Sequence, residues 1–129
     1  HSLKNAYFTG QKKVDELPAY IAAYDVCINP QMVNEITDGN YPLKIDEYLA
    51  MGKPTVATST HTMRNIFAGH THLAINPEEW LAAIDRAVTE ADDKELAKQR
   101  IAFAETHSWG HSVKKIYDII DKFLKERTT

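Results

Sequence analysis

The sequence has a single cysteine and no long hydrophobic run, and each shortage excludes a class of protein. One cysteine cannot form a disulfide within the chain, so a disulfide-stabilised fold is excluded. No stretch approaches the ~18 consecutive apolar residues of a membrane-spanning helix, and the first residues lack a charged segment with an apolar run behind it. We therefore expect a cytoplasmic protein, or the cytoplasmic part of a larger one, in which Cys27, inside the apolar run 26–28, is a small core residue.

The chain also lacks an excess of basic charge. The chain carries 15 lysines and arginines against 18 aspartates and glutamates, which gives a formal net charge of −3. No stripe of basic residues interrupts this balance, so binding to nucleic acid through its phosphates has little electrostatic support. A length of 129 residues is enough for one domain, residues 1–129, with an ordinary apolar core.

Six histidines raise the question of a metal site. His70 and His72 would lie on one side of an extended segment, and His61 could approach them. No acidic residue or cysteine has the local spacing of a further ligand, so we expect solvent-facing loop histidines and no metal.

Strand and helix patterns alternate along the chain up to about residue 90. A short apolar strand over residues 6–9 ends at Gly10, helical spacing follows over 14–24, and a second strand over 25–30 stops at a proline. This alternation predicts an α/β fold with a parallel sheet and helices on both faces. Residues 31–41 form a polar loop, and a loop of that length tends to be functional.

The most informative segment reads NYPLKIDEYLAMGKPTVATS and covers residues 40–59. Pro42 favours the start of a helix, and Gly52 favours its end. Lys44 and Glu47 are three residues apart and therefore share a face of that helix. Residues 55–58 then read as a short buried strand. This order is typical of the edge at which open α/β sheets hold nucleotides.

The remainder predicts a helical turn near residues 63–67, a strand over 72–75 and three helices within residues 77–127. The helices are expected over 77–90, over 93–106 and from an N-cap at Ser108 onward. The residues expected to face the core are Trp80, Leu81, Ile84, Ala87 and Val88 in the first helix, Leu96, Ile101, Phe103 and Ala104 in the second, and Trp109, Val113, Ile116, Tyr117, Ile120, Phe123 and Leu124 in the third.

Five motifs resemble, in order, the nucleotide-sugar donor-binding half of glycosyltransferases of the group 1 type, which have the GT-B fold. They are YFTG (7–10), LPAY (17–20), DVCINP (25–30), PLKIDEYLAMGKP (42–54) and HSW (107–109). The resemblance implies a Rossmann-like parallel sheet with flanking helices, as a partial and N-terminally truncated GT-B C-terminal domain. The central motif carries most of the resemblance.

The resemblance also implies roles for individual residues. Glu47 would accept hydrogen bonds from the ribose hydroxyls of the donor, since a carboxylate can accept two at once. Lys44 and the free N–H groups near Leu43 would face the diphosphate. Gly10 and Gln11 would contact the base. The alternative for Lys44 and Glu47 is a solvated ion pair along the helix.

The loop before the helix departs from the family pattern. Many members carry a second glutamate eight residues before the ribose-binding one, and here Gly39 occupies that position. Asp38 or Glu35 would take part of the missing role, or both are turn-forming residues in a mobile loop. Asn34 and Thr37 match an Asn-x-x-Thr segment of one subgroup, so we assign them to the nucleotide-sugar site.

A complete domain of this kind has two further strand-helix units before residue 7, which bring a basic pair for the diphosphate, and a separate acceptor domain. The two strands would lie between the strand at 6–9 and the one at 25–30, so exposed edges should cause altered pairing or a homodimer.

We expect the donor-binding part of a glycosyltransferase of polysaccharide biosynthesis, which transfers a sugar from a nucleotide diphosphate sugar to a glycan or lipid-linked acceptor. The isolated chain should be inactive, and no cofactor is implied because the nucleotide sugar is the substrate. Peripheral membrane contact is expected of the full-length protein. The alternatives are a nucleotide-sugar epimerase of the same fold and a non-catalytic nucleotide-binding module.

Overall fold

A computed structural model describes residues 3–127, and the two ends of the predicted 1–129 domain lie outside that range. Helices and strands alternate as far as the third strand, after which the chain is helical. The elements are α1 (Leu17–Ala23), β1 (Cys27–Asn29), α2 (Leu43–Ala50), β2 (Thr55–Thr58), a π-helical segment (Met63–Phe67), β3 (His72–Ala74), α3 (Pro77–Thr89), α4 (Lys94–Glu105) and α5 (Trp109–Arg127).

The sheet is three-stranded and parallel, in the order β1-β2-β3. Cys27 is in register with Thr55, and Val56 is in register with His72. Every residue of the central strand β2 is buried, as a strand covered on both faces should be. The predicted α/β class, with a parallel sheet flanked by helices, is therefore confirmed.

Helix α2 forms for the local reasons that its sequence suggests. Ile45 and Leu49 are 0% exposed and pack onto the sheet, because their spacing places them on one face. Gly52 has a φ of 72°, and its N–H and that of Lys53 bond the carbonyls of Leu49 and Tyr48. These paired bonds form a Schellman motif, which ends the helix at a left-handed glycine.

Helix α4 runs antiparallel to α2 and covers it. A Cβ built at Gly52, after the end of α2, would lie 3.1 Å from Cβ of Ala97 in α4. At the other end, Asp46 in α2 contacts His107, which follows α4. The core between these helices and the sheet consists of Ile45, Leu49, Ala57, Met63, Phe67 and Ala104, with Tyr48, Leu73 and Phe103 packed against it.

A buried ionic network closes the Gly52 end of the helix pair. Arg100 in α4 is 5% exposed and donates to the carboxylate of Glu90 and, over 3.4 Å, to the carbonyl of Gly52. The second oxygen of Glu90 lies 3.0 Å from Nε2 of His72 in β3. The network therefore ties β3, the end of α3, α4 and the α2–β2 turn together.

The prediction of a strand over residues 6–9 is wrong. These residues have no regular secondary structure, and Phe8 is fully exposed. A strand needs a hydrogen-bonding neighbour, and no strand within residues 3–127 lies beside this segment. The altered pairing expected there does not occur in this range, and a homodimer through strand edges stays a prediction. The helix predicted over 14–24 begins later, at Leu17, with proline in its first turn.

The predicted core faces of the last helices are partly wrong. Leu81, Val88 and Ile101 are exposed, whereas Arg100, which the pattern did not indicate, is buried. No residue of α5 is buried, so its whole expected core stripe, from Trp109 to Leu124, is exposed. An amphipathic pattern specifies which face of a helix is apolar, but it does not supply an element that covers that face.

Two further predictions concern single residues and membranes. Cys27 is buried and unpaired, which confirms its interpretation as a core residue. Among residues 3–127, no helix has the length and apolar character needed to cross a membrane.

Candidate functional site

The candidate site lies where β1 and β2 end, because parallel strands present their carboxyl ends at the same edge of a sheet. Thr58, the last residue of β2, holds the loop that leaves β1. Its hydroxyl accepts from the N–H of Gln31 over 2.7 Å and donates to the carbonyl of the same residue over 3.0 Å. The polar loop, residues 31–41, therefore starts from a fixed point at this edge.

Asn34 and Thr37 shape that loop from within. Oδ1 of Asn34 accepts from the N–H groups of Ile36 and Thr37, both over 2.9 Å. The hydroxyl of Thr37 accepts from the N–H of Asn34 over 3.0 Å and donates to the carbonyl of Met32. These bonds form an Asx-type turn. The role of Asn34 and Thr37 in nucleotide-sugar binding stays a prediction.

Asp38 caps the helical segment that follows β2. Its Oδ1 accepts from the N–H of His61 over 2.7 Å, and its carbonyl accepts from the N–H of Thr62 over 3.2 Å. This use of the carboxylate was not foreseen from the sequence, since the two residues are 23 positions apart. Glu35 is exposed and has no polar partner in the described part of the loop.

The start of α2 is open. Its N-cap position is Pro42, which has no side-chain acceptor, and Leu43 is 69% exposed. In contrast, Asn76 caps α3 and Asp93 caps α4 with side-chain hydrogen bonds. The N–H of Ile45 bonds the carbonyl of Pro42, whereas those of Leu43 and Lys44 and the positive end of the helix dipole are available to an anion.

Lys44 and Glu47 both lie on the exposed face of α2, as their spacing predicts. They do not form the ion pair that was the alternative interpretation, and neither has another polar partner among residues 3–127. Gly10 and Gln11 are exposed in the segment before α1, and no described hydrogen bond joins them to α2. Their contact with a base stays a prediction.

A second cation at this edge was missed. Arg64, in the π-helical segment, donates from Nη1 to the carbonyl of Ser59 over 2.6 Å. Ser59 directly follows β2, so this exposed guanidinium lies near the end of the central strand. No local sequence pattern around Arg64 predicts that its guanidinium lies near the end of β2.

Three residues on the other side of α2 form a network that sequence analysis also missed. Tyr41 donates from its hydroxyl to Oδ2 of Asp46 over 2.6 Å, and Nδ1 of His107 lies 2.7 Å from Oδ1 of Asp46. The Tyr41 hydroxyl is 3.2 Å from the same histidine nitrogen. Burial, and then the hydrogen bond to Asp46, raise the pKa of Tyr41.

Two cavities flank the helix pair, and the smaller one is nearer the candidate site. A cleft of about 390 Å³ opens between the start of α2 and the α4–α5 turn, with Leu43, Asp46, His107, Trp109 and Lys115 in its wall. The larger cavity, about 590 Å³, lies at the closed end beside His72 and Arg100. Lys44 and Glu47 line neither of them.

The histidines predicted to face solvent do not all do so. His70 stacks on Phe103 with 3.9 Å between ring centroids, and burial lowers its pKa. His72 is half-buried against Glu90, an acidic partner that the local sequence does not indicate. Within residues 3–127, no group of three or more histidine, cysteine and acidic side chains is placed to hold a metal ion.

Comparison with known proteins identifies the family of the chain. Residues 1–90 match the family described as "Glycosyl transferases group 1", and this range includes the loop, α2 and β2. The chain belongs to the glycosyl transferases group 1 family. The resemblance noted in the sequence is therefore confirmed at the level of the family.

The chain is similar to a Bacillus subtilis (strain 168) protein, TuaH, whose name describes a glycosyltransferase of teichuronic acid biosynthesis. The two sequences are 29% identical over 110 residues, which cover 83% of this chain. The chain spans only 28% of the length of that relative. No solved structure matches.

Proposed function

We propose that this chain binds the nucleotide diphosphate sugar donor of a glycosyltransferase at the open start of α2. The observation that carries the proposal is an uncapped helix start beside Lys44 and Glu47, both of which lack a polar partner in the described structure. Unpaired charges of both signs at a free helix terminus suit a ligand with phosphates at one end and a diol at the other.

The diphosphate would lie against the free N–H groups around Leu43 and the ammonium of Lys44. Helix termini bind phosphate because aligned peptide dipoles and unpaired N–H groups point at it. Arg64, whose guanidinium bonds the carbonyl of Ser59 just after β2, would be the second cation after Lys44. In sugar transfer the diphosphate is the leaving group, and these groups would stabilise the negative charge that it gains in the transition state.

Glu47, one helical turn further along, would accept hydrogen bonds from the two ribose hydroxyls. A carboxylate with no protein partner can take both, and a pair of bonds to a charged acceptor also fixes the orientation of the nucleoside. Glu47 positions the donor in this proposal and does not transfer a proton.

In the wider proposal, the full protein transfers the sugar to a glycan or lipid-linked acceptor in polysaccharide biosynthesis. The family and the name of the B. subtilis relative, which refers to teichuronic acid biosynthesis, support this role. We place the protein in the cytoplasm, with peripheral membrane contact where the acceptor is lipid-linked. We also propose that the 129-residue chain alone transfers no sugar.

The second candidate is a non-catalytic nucleotide-binding module. It is favoured by the polar loop, in which Gly39 stands where many family members have a glutamate. Asp38, a candidate to replace that glutamate, already accepts a hydrogen bond from the N–H of His61. Incubation of the full-length protein with a nucleotide sugar and a membrane extract distinguishes the two, since only the enzyme releases the nucleoside diphosphate.

The binding proposal is tested by calorimetric titration of UDP, GDP and their sugar conjugates into the chain. Glu47→Ala should weaken binding of the cognate nucleotide by about 1–3 kcal/mol, because the ribose hydroxyls lose a charged acceptor. Lys44→Ala should weaken binding of nucleoside diphosphates more than that of nucleosides, since it contacts phosphate.

The matched controls are Lys94→Ala and Glu95→Ala, which remove the same charges from the exposed start of α4. Because α4 runs antiparallel to α2, both residues lie at the far end of the helix pair, and their replacement should leave affinity unchanged. Equal affinity of wild type and Glu47→Ala for every nucleotide would contradict the proposal.

A further inference from the structure

The Tyr41–Asp46–His107 network joins three separate segments of the chain at the start of α2. Tyr41 ends the polar loop, Asp46 is in the first turn of the helix, and His107 lies in the turn between α4 and α5. Both oxygens of the Asp46 carboxylate are used, one by the tyrosine hydroxyl and the other by Nδ1 of the histidine.

Asp46 lies on the opposite side of α2 from the proposed ligand face. At about 100° of rotation per residue, it is roughly 160° around the helix from Lys44 and about 100° from Glu47. Within the first turn, residues 43–46, it is the only side chain with a polar partner among the described residues. The back of the helix is therefore tied down, while its front stays free.

Aromatic rings surround the histidine and limit its contact with water. The centroid of its ring is 4.6 Å from that of Phe103 and 5.6 Å from that of Phe67, both in edge-on orientation. The side chains of His107 and Asp46 are each only 20% exposed. A hydrogen bond to a carboxylate is stronger and more directional in such surroundings than in open solvent.

We infer that His107 is a positioning residue for the donor site. It donates from Nδ1 to Asp46 and so fixes the orientation of the first turn of α2. That turn carries the free N–H groups and Lys44, and Glu47 directly follows it. This inference rests on the proposed donor-binding function, although the tie itself exists without a ligand.

The test compares His107→Leu with His107→Asn. Both variants lose the imidazole ring, but the asparagine amide can place an N–H group near the position of Nδ1, whereas leucine cannot. The matched control is His111→Asn, because His111 is an exposed histidine on α5 whose ring contacts Ser108 and not α2.

Two quantities are measured for each variant: amide hydrogen exchange over residues 41–50, with the buried strand β2 as internal reference, and the affinity for UDP and GDP. In His107→Leu we expect exchange over 41–50 to accelerate about tenfold relative to β2, and affinity for the cognate nucleotide to fall about five- to tenfold. His107→Asn should restore most of the protection from exchange and most of the affinity. The His111→Asn control should change neither quantity.

The two readouts separate this inference from the proposed function. Unchanged relative exchange over residues 41–50 in His107→Leu, or equal losses in the leucine and asparagine variants, would overturn the positioning role. If exchange accelerates and asparagine restores it, the tie is established. Should the wild type then bind neither nucleotide, the donor-binding proposal would fail, and the positioning of a donor site would fail with it.

Discussion

The two ends of helix α2 differ in how they use charge. At the Gly52 end, Arg100, Glu90 and His72 form a closed network in which each charged group has a partner and the arginine is buried. At the Leu43 end, the helix has no cap, and Lys44 and Glu47 have no polar partner in the described structure. The Gly52 end thus uses its charges within the fold, whereas at the Leu43 end only Asp46, on the opposite face, is paired and the face with Lys44 and Glu47 is open.

This difference separates charges that hold the fold from charges that are available to a ligand. A buried ion is costly unless its partners satisfy it, so removal of a single partner at the closed end should lower stability. Exposed and unpaired charges contribute little to stability, so Lys44 and Glu47 should be replaceable without loss of the fold.

The largest effect is expected for Arg100→Ala. It removes the cation that faces Glu90 in the interior and leaves that carboxylate with only His72. Loss of one partner of a buried pair should lower the free energy of unfolding by about 3–5 kcal/mol. Urea denaturation followed by tryptophan fluorescence measures the change.

The comparison variant for Arg100 is Lys98→Ala on the same helix, which breaks an exposed ion pair with a 3.8 Å separation from Glu95. This substitution should lower the free energy of unfolding by less than about 1 kcal/mol. If the two substitutions cost the same, the closed end would not owe its stability to the ionic network.

Gly52→Ala should have an intermediate effect. The glycine has a φ of 72°, and a Cβ there would approach Cβ of Ala97 to 3.1 Å, so both the backbone and the α2–α4 contact would be strained. We expect a loss of about 1–3 kcal/mol in thermal or urea denaturation. Gly69→Ala is the control because nothing lies within 4 Å of the added atom, and a comparable loss there would rule out the packing explanation.

The smallest effect on stability is expected at the open end. Glu47→Ala and Lys44→Ala should each change the free energy of unfolding by no more than about 0.5 kcal/mol, because neither side chain has a polar partner within the described residues. The expected result is therefore a stable protein with impaired nucleotide binding. A loss of stability above 1 kcal/mol in either variant would mean that these residues hold the fold.

The α2–β2 unit could be predicted from sequence because its signals are local. The proline at the helix start, the spacing of Ile45 and Leu49, and the glycine at its end all act within a few residues. The positions of Lys44 and Glu47 on one exposed face follow directly from the same helix.

Features that depend on distant partners could not be predicted in this way. The segment 6–9 has the composition of a strand, but a strand forms only when another strand bonds to it. The stripe on α5 is apolar, yet no residue of that helix is buried. The pairing of Asp46 with His107 joins residues 61 positions apart, and no local pattern indicates it.

The buried thiol of Cys27 gives the chain an internal reporter of motion at the edge of its sheet. Burial raises its pKa to about 11, although the ammonium of Lys53 opposes the shift, so the reactive thiolate is scarce at neutral pH. Alkylating reagents should therefore modify it faster when β1 opens, so the labelling rate is expected to report such opening. A molecule that pairs along the outer side of β1 would slow this labelling and so reveal itself without any ligand-specific assay.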